Sequence, residues 1–389
     1  MGEPARDLPL DGLRGLAILL VVLYHATLFG EANASGWRWW VALPRYGWSG
    51  VDLFFVLSGF LITRLLRRNR GAANYFPVFY ARRIARIFPL YYAVLALMFF
   101  AVPLVPAFAA RNAFWLRDAS RETLWYWFYL SNVKTAIDGA FDHRFLDLTW
   151  SLAIEEQFYL VWPLCVWWLS RGRLAALCAG AAVVALALRC AAVATGVNPL
   201  AIYVLTPLRM DCLAIGALVA LVAEQRDGWP RLARAARIAL PTAGFVCAAI
   251  FAIYSIDPAF LAPRPNLALL AHPLMQTIGY SALAVLYAAL LVRVMPASGA
   301  RPWRVFESRP LVVLGRYSYA IYLLHDPATA LVTEWLFPPR VTAWPYPVEQ
   351  TIVYALVLAI SLGAARLSWL VLEGPALRLG HRFHYHRAT

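Results

Sequence analysis

Long apolar stretches, separated by short arginine-rich segments, run through this sequence from end to end. Ten of them reach the length of about 20 residues that an α-helix needs to cross a bilayer. They predict spans at 10–29, 46–66, 85–107, 148–170, 174–195, 202–223, 237–256, 267–293, 311–336 and 347–373. Polar and apolar residues do not alternate within them, as the strands of a membrane barrel require. The pattern predicts an all-α, polytopic membrane protein with one domain over residues 1–389.

Composition agrees with this prediction, because 62% of the residues are hydrophobic and only 14% are charged. Soluble domains carry roughly 25% charged residues. One aromatic segment, 124–130, is too short to cross a bilayer. Tryptophan and tyrosine favour the membrane–water interface, so we expect an interfacial or re-entrant segment there.

The distribution of positive charge predicts the orientation. With the N-terminus inside, 21 arginines fall in cytoplasmic segments, against nine arginine or lysine residues in the opposite loops. Positive residues concentrate on the cytoplasmic side of membrane proteins, so both termini are predicted to be cytoplasmic, as in a multi-pass protein of the bacterial inner membrane. The same asymmetry accounts for the net charge of +14, and we expect no nucleic-acid partner.

The five cysteines indicate no metal centre. All lie within apolar stretches, and none forms a Cys-x-x-Cys pair. Such cysteines are mostly small buried side chains, and no other residues show the spacing of a metal site. We therefore expect no metal ion.

Two ionisable residues of the first span carry the strongest functional signal. Arg14 and His25 are eleven residues apart, so they lie about 16 Å apart along a helix and within roughly 20° of one face. Ionisable side chains inside a membrane are costly and usually face a cavity or a partner. This pair predicts an enzyme site within the bilayer.

Other polar residues are predicted at a depth similar to that of His25, in the outer half of the bilayer. They come from four further spans and are Asp52, Trp150, Ser151, Glu155, Glu156, Arg209, Asp211 and His325. A carboxylate that binds one imidazole nitrogen makes the other a better base. Glu155 or Glu156 is predicted to orient His25 in this way, and the sequence does not choose between them. The alternative is that His25 and Glu155 merely tie helices together.

A second signal lies at the start of the third span, where Arg82, Arg83 and Arg86 stand together. Arginine binds phosphates through paired hydrogen bonds, and a helix N-terminus also favours anions. The alternative is anchoring to anionic lipid.

Six segments together resemble the acyltransferase-3 family of integral membrane O-acyltransferases. They are LDGLR (10–14) with His25, GVDLFFVLSGF (50–60), RRIARIFP (82–89), TWSLAIEEQFY (149–159), RMD (209–211) with Gly216, and YSYAIYLLH (317–325). They stand in the family's order and extend over nearly the whole chain. The resemblance implies transfer of an acyl group, usually acetyl, from cytoplasmic acyl-CoA to a hydroxyl of a surface glycan or glycolipid. It also implies that the arginine motif binds CoA and that His25 is catalytic.

Many family members carry a fused extracytoplasmic SGNH hydrolase-like domain, and this sequence ends at Thr389, soon after the tenth span. We therefore expect the acceptor to reach the membrane site directly.

These expectations assign roles to individual residues. His25 is the predicted base that takes the proton of the acceptor hydroxyl, and Arg14 is predicted to hold the donor with the arginine motif. Ser151, Trp150, Tyr322 or backbone amides could stabilise the oxyanion. Asp52, Trp150, Arg209, Asp211, Tyr322 and His325 are the predicted acceptor-binding residues. Direct attack on the thioester and an acyl-histidine intermediate both stay open.

Three other functions compete with acylation of a surface glycan. In the first, the acceptor is a small-molecule glycoside. The sequence pattern does not specify the length of the acyl chain or the oligomeric state. A transporter or flippase of glycan precursors would also need a charged path through the bilayer, but the sequence has no internal repeat and no pair of Gly/Pro-broken helices. A membrane scaffold would not need aligned polar groups.

Overall fold

A computed structural model describes residues 7–29, 36–37, 40–41, 43–105, 122–141, 144–255, 270–295, 301–337 and 344–386. These residues form helices and connecting turns, without a β-strand. In chain order the helices are α1 Leu8–His25, α2 Gly50–Arg68, α3 Tyr75–Ala96, α4 Thr123–Trp127, α5 Ser131–Asp138, α6 Thr149–Trp168, α7 Arg171–Ala194, α8 Pro199–Val204, α9 Thr206–Ala223, α10 Gly228–Ser255, α11 Tyr280–Val294, α12 Arg309–Arg316, α13 Ser318–Ala330, α14 Tyr346–Ser368 and α15 Gly374–Gly380. The prediction of an all-α fold is confirmed.

Eight helical segments in the described part of the chain are long and apolar enough to cross a membrane. They contain α1, α2, α3, α7, α9, α10, α11 and α14. The other two predicted spans correspond to α6 and to α13 with its π-helical extension Leu331–Leu336, which are not among the eight. Both carry polar residues, including Glu155 and Glu156 in α6 and His325 in α13. The chain is thus a multi-pass membrane protein, and the count of ten spans stays a prediction.

The helices divide into a central and a peripheral set. The most apolar windows of the segments Pro44–Arg68 and Pro199–Ala223 are 72% and 67% buried, whereas those of Gly228–Ser255 and Tyr346–Gly380 are each 17% buried. Large apolar side chains such as Val183, Phe245 and Leu367 project from the periphery. In water such a surface would be unfavourable, whereas lipid chains cover it without cost. The lipid-facing surface of the peripheral helices is thus apolar, and their buried polar residues face the centre of the bundle.

The central pair, α2 and α9, pack with their backbones in close approach at two glycines. A Cβ on Gly59 would lie 2.0 Å from the carbonyl oxygen of Leu213, and one on Gly216 would lie 2.1 Å from that of Val56. Small residues allow such contacts between membrane helices. The approach fixes α2, which supplies residues to both cavities described below.

The aromatic segment 124–130 folds back against α3. Its helix α4 is only five residues long, and the hydroxyls of Tyr91 and Tyr92 donate to the carbonyl oxygens of Tyr126 and Trp127 at 2.8 and 3.1 Å. The short helix packed against α3 is consistent in length with the predicted interfacial or re-entrant segment, whose position relative to the bilayer stays a prediction.

Candidate active site

One cavity, called the arginine cavity below, lies among α1, α2, α3, α6 and α13 and has a volume of about 340 Å³. Its charged and hydroxyl-bearing lining residues are Arg14, Arg83, Arg86, Glu155, Glu156, Ser58, Ser151, Tyr159, Ser318, Tyr319 and Tyr322. The cavity thus gathers three arginines and two carboxylates in a small space inside an apolar bundle.

Two of these arginines are not held by a direct ion pair. Neither Arg83 nor Arg86 forms an ion pair within the described residues, and the buried Nε of Arg83 lacks a hydrogen-bond partner. Arg14 is different, because its Nη1 lies 3.1 Å from Asp11 Oδ1. Both side chains are half-buried, and guanidinium groups that are partly removed from water and not held by a direct ion pair are suited to bind an anion.

Arg82 does not lie in this cavity, contrary to the prediction that it binds the donor. Its guanidinium donates from Nε and Nη2 to the carbonyl oxygen of Phe383, at 3.0 and 2.7 Å, and lies over the ring of Tyr385. Neighbouring residues of a helix point about 100° apart. Arg82 therefore faces the C-terminal segment while Arg83 faces the cavity.

The predicted pairing of His25 with Glu155 or Glu156 is wrong. Glu155 Oε1 accepts from Ser58 Oγ at 2.6 Å, its Oε2 accepts from Tyr159 Oη at 3.2 Å, and both glutamates line the arginine cavity. His25 lines a different cavity. A similar depth on two helices does not bring their side chains together, because each must also point towards the other.

The second cavity, called the histidine cavity below, has a volume of about 530 Å³. Its lining combines aromatic, charged and hydroxyl side chains, among them Tyr24, His25, Phe29, Trp48, Phe141, Arg144, Phe145, Asp147, Trp150, Tyr203, Tyr322, Asp326, Thr329, Thr333 and Glu334. Sequence reasoning missed Asp326, Arg144 and Glu334. Of these three residues, only Asp326 had a signal in the sequence, which is its position next to His325. Arg144 and Glu334 form an ion pair that joins the segment before α6 to the π-helical extension of α13.

His25 is held by its own helix. Its Nδ1 lies 2.9 Å from the carbonyl oxygen of Val21, and because a carbonyl only accepts, Nδ1 carries the proton and Nε2 keeps the lone pair of the neutral ring. The ring of His325 lies edge-on at 4.8 Å between centroids. His25 thus presents a potential base to the histidine cavity, oriented by a backbone carbonyl rather than by a carboxylate.

A thin partition separates the two cavities. Tyr322 and Val51 line both of them, and Tyr322 Oη lies 2.6 Å from Ser151 Oγ. Trp150 lines the histidine cavity and its neighbour Ser151 lines the arginine cavity. The hydroxyls of Ser151 and Tyr322 therefore stand between the arginines and His25, where an oxyanion would form if the two cavities exchanged a group.

Asp52, Arg209 and Asp211 do not line either cavity, so the structure does not bring them together with the other predicted acceptor-binding residues, and that role stays a prediction. Asp52 is paired with Arg209 and Asp211 with Arg189, and all four side chains are fully buried. Arg209 also lies over the ring of Tyr280 at 4.0 Å. These ion pairs tie α2, α7, α9 and α11 together.

Arg189 is a fourth residue that sequence reasoning missed. It lies in the outer half of a predicted span, as Asp211 does. An arginine and an aspartate predicted at the same depth were the sequence signal for this ion pair.

Comparison with known proteins places this geometry in a family. The family model for an acyltransferase domain matches residues 8–366. The putative peptidoglycan O-acetyltransferase YrhL of Bacillus subtilis is 31% identical over 96% of this chain, and the peptidoglycan O-acetyltransferase OatA of Listeria monocytogenes is 26% identical over 95%. A putative O-acetyltransferase of Staphylococcus aureus is 23% identical over 95%.

The matched regions make up 55%, 56% and 57% of these three relatives, so the chain spans little more than half their length. No solved structure matches the chain. A domain match that extends from α1 into α14 includes the arginine cavity, the histidine cavity and the partition between them. The chain therefore belongs to the acyltransferase-3 family of integral membrane acyltransferases.

Proposed function

We propose that this protein is a membrane O-acetyltransferase that moves an acetyl group from acetyl-CoA in the arginine cavity to a hydroxyl of a cell-envelope glycan or glycolipid in the histidine cavity. One observation carries the proposal. Two arginines that form no direct ion pair line one cavity, a histidine with a free Nε2 lines the next, and only a layer of side chains lies between them.

The donor side follows from charge. The phosphates of CoA are multiply anionic, and Arg83 and Arg86 supply planar groups that bind phosphate oxygens in pairs. With the phosphates at this end, the pantetheine arm extends along α1 towards His25, over the approximately 16 Å between the levels of Arg14 and His25. Positive residues favour the cytoplasm, so in this proposal the arginine end faces the cytoplasm and the protein lies in the inner membrane.

The acceptor side follows from the lining of the histidine cavity. Trp48, Trp150 and Tyr203 offer flat apolar faces, and Asp147 and Thr333 offer oxygen atoms around them. Sugar rings have apolar faces edged by hydroxyls, so this lining complements a glycan. The relatives named as peptidoglycan O-acetyltransferases support an envelope glycan as the acceptor.

The chemical step needs one base and one oxyanion site. The acceptor oxygen attacks the thioester carbonyl carbon while His25 Nε2 takes its proton, and collapse of the tetrahedral adduct breaks the C–S bond. The imidazolium then returns the proton to the CoA sulfur. Ser151 and Tyr322 hydroxyls stabilise the oxyanion, and the thioester meets the acceptor where Tyr322 separates the cavities. Formation of an acyl-His25 intermediate would use the same atoms.

Release of the CoA thiol tests the proposal. Purified protein in lipid nanodiscs is given acetyl-CoA with and without isolated peptidoglycan glycan strands, and free thiol and acetylated sugar are both measured. We expect acceptor-dependent thiol release with equal formation of O-acetyl sugar, and loss of both in His25→Ala.

If acetyl transfer occurs to a soluble glycoside but not to glycan strands, the acceptor in the proposal would change from an envelope glycan to a small-molecule glycoside. No thiol release with either acceptor, together with movement of a glycolipid across the membrane, would instead indicate a flippase.

A further inference from the structure

Three metal-binding side chains meet beside the partition on the side of the histidine cavity. One donor atom from each of His25, His325 and Asp326 lies within 4.8 Å of the others. They come from α1 and α13, two helices that are far apart in the sequence. Two imidazoles and one carboxylate form a ligand set that Zn²⁺ takes in proteins with an open coordination position.

Both histidines are already oriented as metal ligands are. Nδ1 of His25 donates to the carbonyl oxygen of Val21 at 2.9 Å, and Nδ1 of His325 donates to that of Tyr322 at 2.7 Å. Metal-bound histidines almost always donate their other ring N–H in this way, which fixes the tautomer and leaves Nε2 for the ion.

Nε2 of His325 is a buried polar atom without a hydrogen-bond partner among the described residues. His325 is fully buried, and the nearest carboxylate oxygen, Oδ1 of Asp326, lies 3.8 Å from this Nε2. A buried acceptor without a partner costs free energy. The atom faces the group formed with His25 and Asp326, where a cation would satisfy it.

The distances allow an ion after small movements. Zn–N and Zn–O bonds of about 2.1 Å place tetrahedral ligand atoms about 3.4 Å apart, so the group must contract from its 4.8 Å limit. Asp326 is half-buried and His25 is exposed to the cavity, so rotation of the Asp326 side chain and a small shift of the His25 ring that keeps its bond to Val21 supply the contraction while His325 stays in place.

We propose that His25, His325 and Asp326 bind Zn²⁺ and that the bound ion inhibits acyl transfer. The inhibition rests on the proposed function, because the ion occupies the Nε2 lone pair of His25 that would otherwise take the acceptor proton. Metal binding itself does not depend on that function. The ion would enter from the histidine cavity, so only Zn²⁺ on that side of the membrane would inhibit.

Cobalt absorption tests the site without any turnover. The protein is purified without a histidine tag, freed of metal, placed in nanodiscs and titrated with Co²⁺. We expect visible d–d absorption that saturates at one ion per chain and disappears when Zn²⁺ is added. His325→Ala and Asp326→Asn should weaken binding by at least the roughly 10-fold that loss of an outer-shell partner costs.

A matched control comes from the C-terminal histidines His381, His384 and His386, which could bind metal adventitiously. Their triple alanine variant should keep the absorption unchanged. Absorption that survives in His325→Ala and Asp326→Asn but is lost in the triple variant would overturn the site.

Inhibition is then measured by thiol release over the same Zn²⁺ range. Inhibition at the concentration that displaces Co²⁺ supports the whole proposal. Stoichiometric binding without inhibition would overturn the inhibitory part and would also argue against His25 as the base. Normal acceptor-dependent transfer with no Co²⁺ binding would overturn the metal site alone and leave the proposed function standing.

Discussion

The hydroxyl of Tyr322 on α13 lies 2.6 Å from the hydroxyl of Ser151 on α6, and this contact stands between the arginine cavity and the histidine cavity. Tyr322 also donates to the carbonyl oxygen of Leu148 at 3.1 Å. A donor bound among the arginines and an acceptor beside His25 can react only where these side chains stand. The proposed mechanism therefore places this pair at the point of acetyl transfer.

Removal of the Tyr322 hydroxyl should lower turnover more than donor binding. In Tyr322→Phe we expect kcat to fall by about 10²-fold, the lower end for loss of one oxyanion donor, with little change in the KM for acetyl-CoA. Tyr319→Phe is a matched control, because its hydroxyl lines the same cavity but donates to the carbonyl oxygen of Ile87. Equal kcat values in the two variants would contradict a role for Tyr322 in the reaction.

The arginine motif should divide into donor-binding and structural members. Arg83→Ala and Arg86→Ala should each raise the KM for acetyl-CoA by about 10-fold or more, as expected for loss of a charge-assisted hydrogen bond. Lysine at either position should restore binding only in part, because it lacks the paired geometry of arginine. Steady-state kinetics at varied acetyl-CoA checks both expectations.

Arg82→Ala is the matched control from the same motif, because Arg82 binds Phe383 outside the cavity. Its KM for acetyl-CoA should stay near the wild-type value. A rise as large as that of Arg86→Ala would show that the C-terminal segment or Arg82 itself participates in donor binding.

The buried pair of Asp52 and Arg209 should act on stability and not on substrate affinity. Asp52→Ala leaves the Arg209 charge buried without its partner, which typically costs about 3–5 kcal/mol. We therefore expect a lower thermal midpoint in detergent, together with an unchanged KM for acceptor in the folded fraction.

The double variant Asp52→Leu, Arg209→Met removes both charges and should recover much of the lost stability. A stable Asp52→Ala protein with a raised acceptor KM would support the binding role that the sequence predicts.

The fold could be predicted from the sequence to a large extent, because hydropathy alone locates membrane helices. Each of the ten apolar stretches contains helix in the structure, and the short aromatic segment folds back as expected. Arg14 and His25 do lie on one helix, α1. Fixed spacing along a helix makes such relationships readable without any knowledge of neighbouring helices.

The grouping of the site residues could not be predicted, because depth in the membrane is only one of the coordinates that bring side chains together. Asp52, Glu155 and His25 share a predicted depth, yet the first is in a buried ion pair, the second faces the arginines and the third faces His325. Rotation of each helix about its axis decides these contacts. That rotation depends on packing, such as the contact of Gly59 with α9, which no periodicity reveals.

The close approach of α2 and α9 should tolerate no added methyl group. Gly59→Ala places Cβ 2.0 Å from the carbonyl oxygen of Leu213, so the helices must separate, and overpacking of this kind costs about 1–3 kcal/mol. Gly363→Ala is the control, since nothing lies within 4 Å of its Cβ and alanine favours a helix by up to ~1 kcal/mol. Thermal unfolding in detergent should separate the two variants, and equal midpoints would contradict the packing.

The most direct test of the central claim compares acetyl-CoA binding with acetyl transfer in two variants of one preparation. Binding of radiolabelled acetyl-CoA and acceptor-dependent thiol release are measured for the wild type, His25→Ala and Arg86→Ala. If the two cavities have separate tasks, His25→Ala should bind acetyl-CoA like the wild type but transfer nothing. Arg86→Ala should bind acetyl-CoA about 10-fold or more weakly, and its transfer should fall in parallel at subsaturating acetyl-CoA. Loss of acetyl-CoA binding in His25→Ala, or wild-type transfer by that variant, would contradict the separation of donor and acceptor sites.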